Sequence, residues 1–370
     1  MAAPPPLRPD LVLKGVSRSF YLTLRVLPGA IRSQMSLAYL LARTTDTIAD
    51  TEIVPVNQRL QALQSLRERI LGISQKTLNF DQLARCQDDS SRDTRLQNCE
   101  EVLPDLEDDK LKNSQRVHAH ASSAERILLE RIEDLLALLM KLSPMDRDLI
   151  REVLSRITSG QELDLKRFAD AGPGQIVALL TEEELDDYTW RVAGCVGEFW
   201  TRMCQTHLFP NAPLDHARLV SNGVRFGKGL QLVNILRDLP RDLRHGRCYF
   251  PAQALSAHDL VPEDLLQPAN ELRFRPVYQI FLQKAQEHLA AGWEYTTSLP
   301  GRCVRVRLAC AWPILIGAKT LARLRTQNVL DPHHRIKISR AEVRALIGRS
   351  IISYIWPSSW RRLFGRIAGS

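Results

Sequence analysis

The sequence predicts an all-α fold of ten or more helices, on three observations. Apolar residues recur at helical spacing through nearly every long segment, helix start signals precede several of them, and no convincing run alternates as a half-buried strand must. Leu60, Leu63, Leu66 and Ile70 mark one helix face; Ile127, Leu128, Ile132, Leu135, Leu136 and Leu139 mark another. Ser143-Pro144 with Asp146 reads as an N-cap, a proline at the first helical position and an acid in the first turn. Thr181 with Glu184, and Ser339 with Glu342, have capping-box spacing. Leu308 to Ala318, the longest uncharged apolar stretch, has core-helix length and falls short of the roughly 18 residues of a membrane span. Gln75 to Ser123 is polar, charged and poor in periodicity, and reads as a surface insertion in a single domain covering 1–350; residues 351–370 read as a basic amphipathic tail.

Composition narrows the function classes. The 370 residues, 44% hydrophobic and 25% charged, suffice for a large core, and 50 Lys+Arg against 42 Asp+Glu give +8. That excess is local: residues 301–370 hold 14 basic and 2 acidic side chains, +12, which leaves −4 for residues 1–300. A uniformly basic nucleic-acid-binding body is therefore not expected. The opening MAAPPPLRPD lacks the apolar core of a secretory signal, and seven cysteines without a CxxC read as reduced thiols, so a cytoplasmic protein is expected. His118, His120, His333 and His334 have no sequence partners and read as solvated.

Aspartates spaced i,i+4 share a helix face and suit divalent cations, but the spacing alone is common. Four such pairs occur, Asp46/Asp50, Asp89/Asp93, Asp105/Asp109 and Asp238/Asp242, against about 1.4 expected by chance for 23 aspartates. Asp89/Asp93 and Asp105/Asp109 sit in the polar insertion and read as solvated loop. The other two end strongly apolar helical runs, SQMSLAYLLARTTDTIAD and GLQLVNILRDLPRD, and each follows an arginine, Arg43 or Arg237. Paired carboxylates beside a core face are costly unless a cation compensates them. Two pairs facing each other across a helical bundle would hold Mg²⁺ (or Mn²⁺) against a diphosphate, the arginines neutralising the rest. Pro240, between Asp238 and Asp242, has no N–H, so the helix is expected to kink or restart there.

Five blocks in order, SRSFYLTLRVLP, ARTTDTIAD, YTWRVAGCVG, GLQLVNILRDLPRDLRHGRCYFP and LACAWPILIGAKTL, resemble those of the squalene/phytoene synthase family and cover most of residues 10–340. The resemblance implies the class I terpenoid (isoprenoid) synthase fold, a helical bundle around a central cavity, and head-to-head joining of two allylic prenyl diphosphates. It implies Asp46, Asp50, Asp238 and Asp242 as metal ligands. Ser17, Arg18 and Phe20 fall in the block at the cavity mouth. Arg43, Arg237 and Arg247 match diphosphate-contacting positions, with Arg18, Arg43 and Arg237 also candidates for the phosphates of NADPH. Gln231 and Asn234 match polar cavity-lining positions, and Tyr188 matches a tyrosine that orients the leaving group or steadies the cation; a core tyrosine is the alternative. RIKISR resembles the basic cofactor segment, with Lys337 the best match. Two departures stand out: Arg241 replaces the acid of a D-x-x-E-D motif, and Ala49 stands where eukaryotic squalene synthases have Glu.

Within the family the blocks look most like those of bacterial squalene synthases, which take farnesyl diphosphate and NADPH. A phytoene synthase acting on geranylgeranyl diphosphate, a synthase stopping at presqualene diphosphate or hydroxysqualene, and a non-catalytic subunit of the same fold are the alternatives. At the C-terminus, Trp360, Leu363, Phe364 and Ile367 fall at i, i+3, i+4 and i+7 with Arg361, Arg362 and Arg366 off the stripe. That pattern suits peripheral contact with an anionic membrane at the inner face, or equally a helix docked on the core.

Overall fold

The computed structural model describes residues 9–16, 20–51, 53–85 and 123–369. Ser17, Arg18, Cys86, Cys99, the Asp89/Asp93 and Asp105/Asp109 pairs, His118 and His120 lie outside the described residues. Among those described, secondary structure is almost wholly helical, and the strands β1 (Val177–Ala178) and β2 (Arg247–Cys248) are two residues each. The chain divides into two compact units, Met1–Arg25 with Arg32–Leu165, and Val26–Ile31 with Lys166–Ser370.

The first unit holds α1 (Pro9–Val16), α2 (Phe20–Val26), most of α3 (Gly29–Ala49), α4 (Val56–Leu71), α5 (Ile132–Met140) and nearly all of α6 (Pro144–Arg167). The expected apolar stripes are its core: Leu63, Leu66 and Ile70 of α4, and Ile132, Leu135 and Leu139 of α5, are all buried. α6 starts at Pro144, and the Ser143 hydroxyl accepts from Asp146 N at 3.1 Å, as the cap predicts. Polar side chains tie the helices together. Arg69 bonds Glu133 at 2.6 Å, Arg67 reaches Ser155 at 3.1 Å, and Arg151 donates at 2.9 Å to Ile70 O, a carbonyl left over at the end of α4. Phe80, Leu83 and Ala84 are buried, so the start of the polar stretch belongs to this core.

The second unit is built from α7 (Glu182–Thr189), a π-helical turn (Trp190–Gly194), α8 (Cys195–Leu208), α9 (His216–Arg244), α10 (Ala252–Ser256), α11 (Glu271–Ser298), α12 (Val304–Leu324), α13 (Arg340–Tyr354) and α14 (Pro357–Ala368). Both capping sites appear: Thr181 accepts from Glu184 N, and Ser339 and Glu342 exchange bonds in a full box. α8 and α9 touch backbone to backbone, since a Cβ on Gly197 would lie 1.8 Å from Gly223 O. Behind α9, Phe250 sits against the rings of Phe274, Tyr278 and Phe281 at centroid separations of 5.0, 5.8 and 5.1 Å. The chain leaves α9 through Gly246, whose φ of +76° and 2.3 Å Cβ clearance to Gly172 N admit only glycine, and enters β2 parallel to β1.

Two expectations are corrected here. α9 does not restart at Pro240 but runs unbroken from His216 to Arg244. The proline removes the donor that Leu236 O would receive within the helix, and the buried Tyr278 hydroxyl takes that place at 3.0 Å. The apolar stripe of α14 faces the protein, not a membrane: Trp360, Leu363, Phe364 and Ile367 are buried in the core. Trp293 supplies the covering surface, its ring tilted against Trp360 at a centroid separation of 5.0 Å and its indole N–H donating to Arg361 O at 3.0 Å.

Candidate active site

In the first unit, Asp46 and Asp50 close the last turn of α3 and the chain just beyond it. Asp50 N donates to Asp46 O at 2.8 Å, which gives the pair one-turn geometry. The threonines around them cost no buried hydroxyl: Thr44 bonds Leu40 O at 2.9 Å, Thr45 bonds Ala42 O at 2.7 Å and Thr47 bonds Arg43 O at 2.9 Å. The buried Arg59 caps the helix end, donating to Ala49 O at 2.6 Å. Asp46 accepts from Gln161 Nε2 at 2.5 Å, while Arg43 lies 3.8 Å away with its other end bonded to Glu125. Burial and the charge of Asp50 push the Asp46 pKa up to about 7, against the opposing pulls of Arg43 and Gln161. Burial lowers the Arg43 pKa, but the charges of Glu125, Asp46 and Asp50 outweigh it and leave the group raised.

In the second unit, Gln231, Asn234, Asp238 and Asp242 recur at intervals of three and four along α9 and so share one face, Asn234 being exposed and the others half-buried. Here the arginine sits on the carboxylate itself. Arg237 donates from Nε at 2.9 Å and from Nη2 at 2.5 Å to the two oxygens of Asp238, a bidentate fork. That bond raises the Arg237 pKa. Arg335 reaches the same aspartate at 3.8 Å, from a segment pinned by the buried Ile336. Lys337, in that segment, is exposed, and Arg241 is exposed at the position where the resemblance expects an acid.

The other expected residues divide. Tyr188 is buried, stacked on Tyr249 at 4.9 Å, with the two hydroxyls 3.4 Å apart. It stands just before the π-helical turn, an irregularity often found at functional sites. Arg247 is half-buried on β2. Phe20 opens α2. Gln161, Glu125 and Arg335 escaped the reading of the sequence. Gln161 had a signal: it interrupts the apolar series Ile150, Leu154, Ile157 and Leu165 along α6.

The donor set fits Mg²⁺. Two carboxylates per motif leave room for the several waters that this ion keeps, and no closed cage is needed: among the described residues no three His, Cys, Asp or Glu side chains gather as one. Gln161 adds a second observation. Its Nε2 holds Asp46, and its Oε1 is a buried acceptor without a hydrogen-bond partner, a demand that water carried by the ion would satisfy. The exposed cations Arg335 and Lys337 fit phosphate groups in the same way.

Residues 13–342 match the family described as Squalene/phytoene synthase. The chain is similar to squalene synthase ERG9 of Saccharomyces cerevisiae, 24% identical over 92% of this chain and 66% of that protein. It is also similar to a bifunctional lycopene cyclase/phytoene synthase of Aspergillus oryzae, 31% identical over 50% of this chain and 32% of that protein. The chain thus spans about a third to two thirds of the length of these curated relatives. Two solved structures share its fold: a squalene synthase, TcSQS, with the ligand E5700 (TM-score 0.71, 20% identity, 97% of this chain and 91% of that one), and a dehydrosqualene synthase with ligand (TM-score 0.61, 18% identity, 94% and 95%). With the match running from α1 into α13 and through both aspartate motifs, the chain belongs to the squalene/phytoene synthase family.

Proposed function

We propose that this chain is a Mg²⁺-dependent prenyltransferase of the squalene synthase type. It joins two farnesyl diphosphates head to head into presqualene diphosphate and, with NADPH, reduces that to squalene. The observation that carries the reading is the pair of helix-borne aspartate doublets, Asp46/Asp50 and Asp238/Asp242, each with an arginine within 3.8 Å of its first carboxylate. Bound Mg²⁺ would neutralise the departing diphosphate, and NADPH would supply the hydride. The chain's own side chains do the rest. Arg237 and Arg335 shift from Asp238 to diphosphate oxygens when a cation takes the carboxylate. The stacked Tyr188 and Tyr249 offer π faces to the allylic cation left by ionisation, which the double bond of the second substrate attacks; loss of a proton to the released diphosphate or solvent then closes the ring to a cyclopropylcarbinyl diphosphate. Lys337 meets the phosphates of the nicotinamide cofactor.

A phytoene synthase acting on geranylgeranyl diphosphate without NADPH is the second reading, favoured by the phytoene synthase relatives that match half of the chain. The test is incubation with farnesyl or geranylgeranyl diphosphate, each with and without NADPH, followed by product mass. Squalene formed only with NADPH is the expected result. Phytoene from the C20 substrate would replace it with the second reading, and accumulation of presqualene diphosphate in the presence of NADPH would place the product one stage earlier.

A further inference from the structure

The inner side of α13 is firmly held. Leu346, Ser350 and Ser353 are buried, the Trp312 indole N–H donates to Ser350 Oγ at 3.1 Å, and the Tyr354 hydroxyl donates to Gly301 O at 2.7 Å. The outer side has no such cover. Ile351, Ile352, Ile355 and Trp356 stand 49, 60, 69 and 56% exposed at the end of the helix and the turn that follows. Large apolar side chains grouped in this way on a surface mark an interaction site.

The surrounding charge says what kind. Residues 343–370 contain Arg344, Arg349, Arg361, Arg362 and Arg366 and no acidic residue, and all five arginines are exposed. At 3.6 residues per turn, Arg344 and Arg349 flank Ile352 on either side of the outer face of α13. Burial of the α14 stripe turns Arg361, Arg362 and Arg366 outward beside it. The result is an apolar centre flanked by two guanidinium groups on α13, with three more exposed on the adjoining α14. A protein partner would need an acidic ring of matching shape, whereas an anionic lipid leaflet meets every arginine at once and receives the apolar centre at its headgroup boundary. No described helix is long and apolar enough to cross a membrane, so the contact is peripheral.

We propose that the outer face of α13 and α14, centred on Ile352, Ile355 and Trp356, docks on an anionic lipid surface, with Arg344, Arg349, Arg361, Arg362 and Arg366 meeting the lipid phosphates. This places the contact on the opposite side of the tail from the Trp360 stripe, and it holds whichever prenyl chain the enzyme accepts.

The experiment is co-sedimentation of the purified full chain with vesicles of phosphatidylcholine, alone or mixed with phosphatidylglycerol, at low and high salt. The chain is expected to bind only the mixed vesicles and to be released by salt, with the Trp356 emission, isolated by difference from Trp356→Phe, moving to the blue on binding. Ile352→Glu with Ile355→Glu should weaken partitioning by about tenfold or more. Arg349→Ser, Arg361→Ser and Arg362→Ser should weaken it by about fivefold each. Because these side chains are exposed, circular dichroism should be unchanged, and the milder Ile352→Ser should shift binding in the same direction. Wild-type protein that ignores the mixed vesicles, or variants that bind as wild type, would overturn the proposal. So would a patch variant that instead converts a dimer to a monomer in sedimentation velocity, since the face would then belong to a second copy.

Discussion

The two aspartate motifs look alike in sequence and differ in how each is compensated. In the first, Arg43 is drawn off to Glu125, Asp46 is held by an uncharged glutamine, and its pKa climbs beside Asp50. In the second, Arg237 forks onto Asp238 with Arg335 near by. The first motif is thus under repulsion that a cation would relieve, while the second carries its own cations, which a metal would have to displace. The helices differ in kind as well. α3 ends at its motif and needs a cap from Arg59; α9 runs through its motif over a proline and needs Tyr278.

The largest expected effect tests the shared role. Asp46→Asn and Asp238→Asn should each cut diphosphate release by about a hundredfold to a thousandfold, with helix content unchanged by circular dichroism. Retained turnover in both variants would remove the metal reading.

Stability then separates the motifs, because the same two substitutions should move the metal-free protein in opposite directions. Asp238→Asn breaks a bidentate charge-assisted bond and should cost about 1.5–3 kcal/mol in denaturant titration. Asp46→Asn keeps an acceptor for Gln161, removes the repulsion with Asp50 and should stabilise by about 1 kcal/mol after allowance for solvent screening. Mg²⁺ should raise the melting temperature of the wild type more than that of Asp46→Asn; an equal rise would show that the first motif is not where the ion gains its stabilisation.

The helix supports come next. Tyr278→Phe leaves Leu236 O buried and unpaired and should cost about 1–3 kcal/mol. In a Pro240→Ala background the helix regains its own donor, and the penalty should fall by at least about half. If it stays the same, the hydroxyl does not stand in for the missing N–H. The smallest effect is at Glu342, whose pKa is held at about 2 by the Ser339 N–H and hydroxyl, with Lys319 and Arg323 adding to it. A carboxylate depressed in the fold stabilises above its unfolded value of 4.5, and that contribution is lost as pH falls from 4.5 towards 2. Melting curves of wild type and Glu342→Gln should therefore differ at neutral pH and converge over that window.

Much of this was legible in the sequence because it is local. The caps at Ser143, Thr181 and Ser339, the apolar stripes of α4 and α5, and the aspartate spacing all act within one or two helical turns. The missed partners act at a distance: Gln161 lies 115 residues from Asp46, Glu125 lies 82 from Arg43, and Tyr278 lies 42 from Leu236. Nothing in a local pattern names such partners, although a polar residue on an apolar stripe, as at Gln161, marks that one exists. The expected restart at Pro240 failed for the same reason, since the residue that repairs the helix belongs to another element.

The sequence by itself determined the helical class, the helix starts, the family and the two pairs of carboxylates, because periodicity, capping and spacing are properties of neighbouring residues. Tertiary structure alone decided which arginine neutralises which aspartate, that α9 continues through its proline, and which side of the C-terminal helices meets the core. An amphipathic stripe states that it must be covered and not by what; Trp293 settles that for α14, and the outer face of α13 is left with isoleucine, tryptophan and flanking arginines.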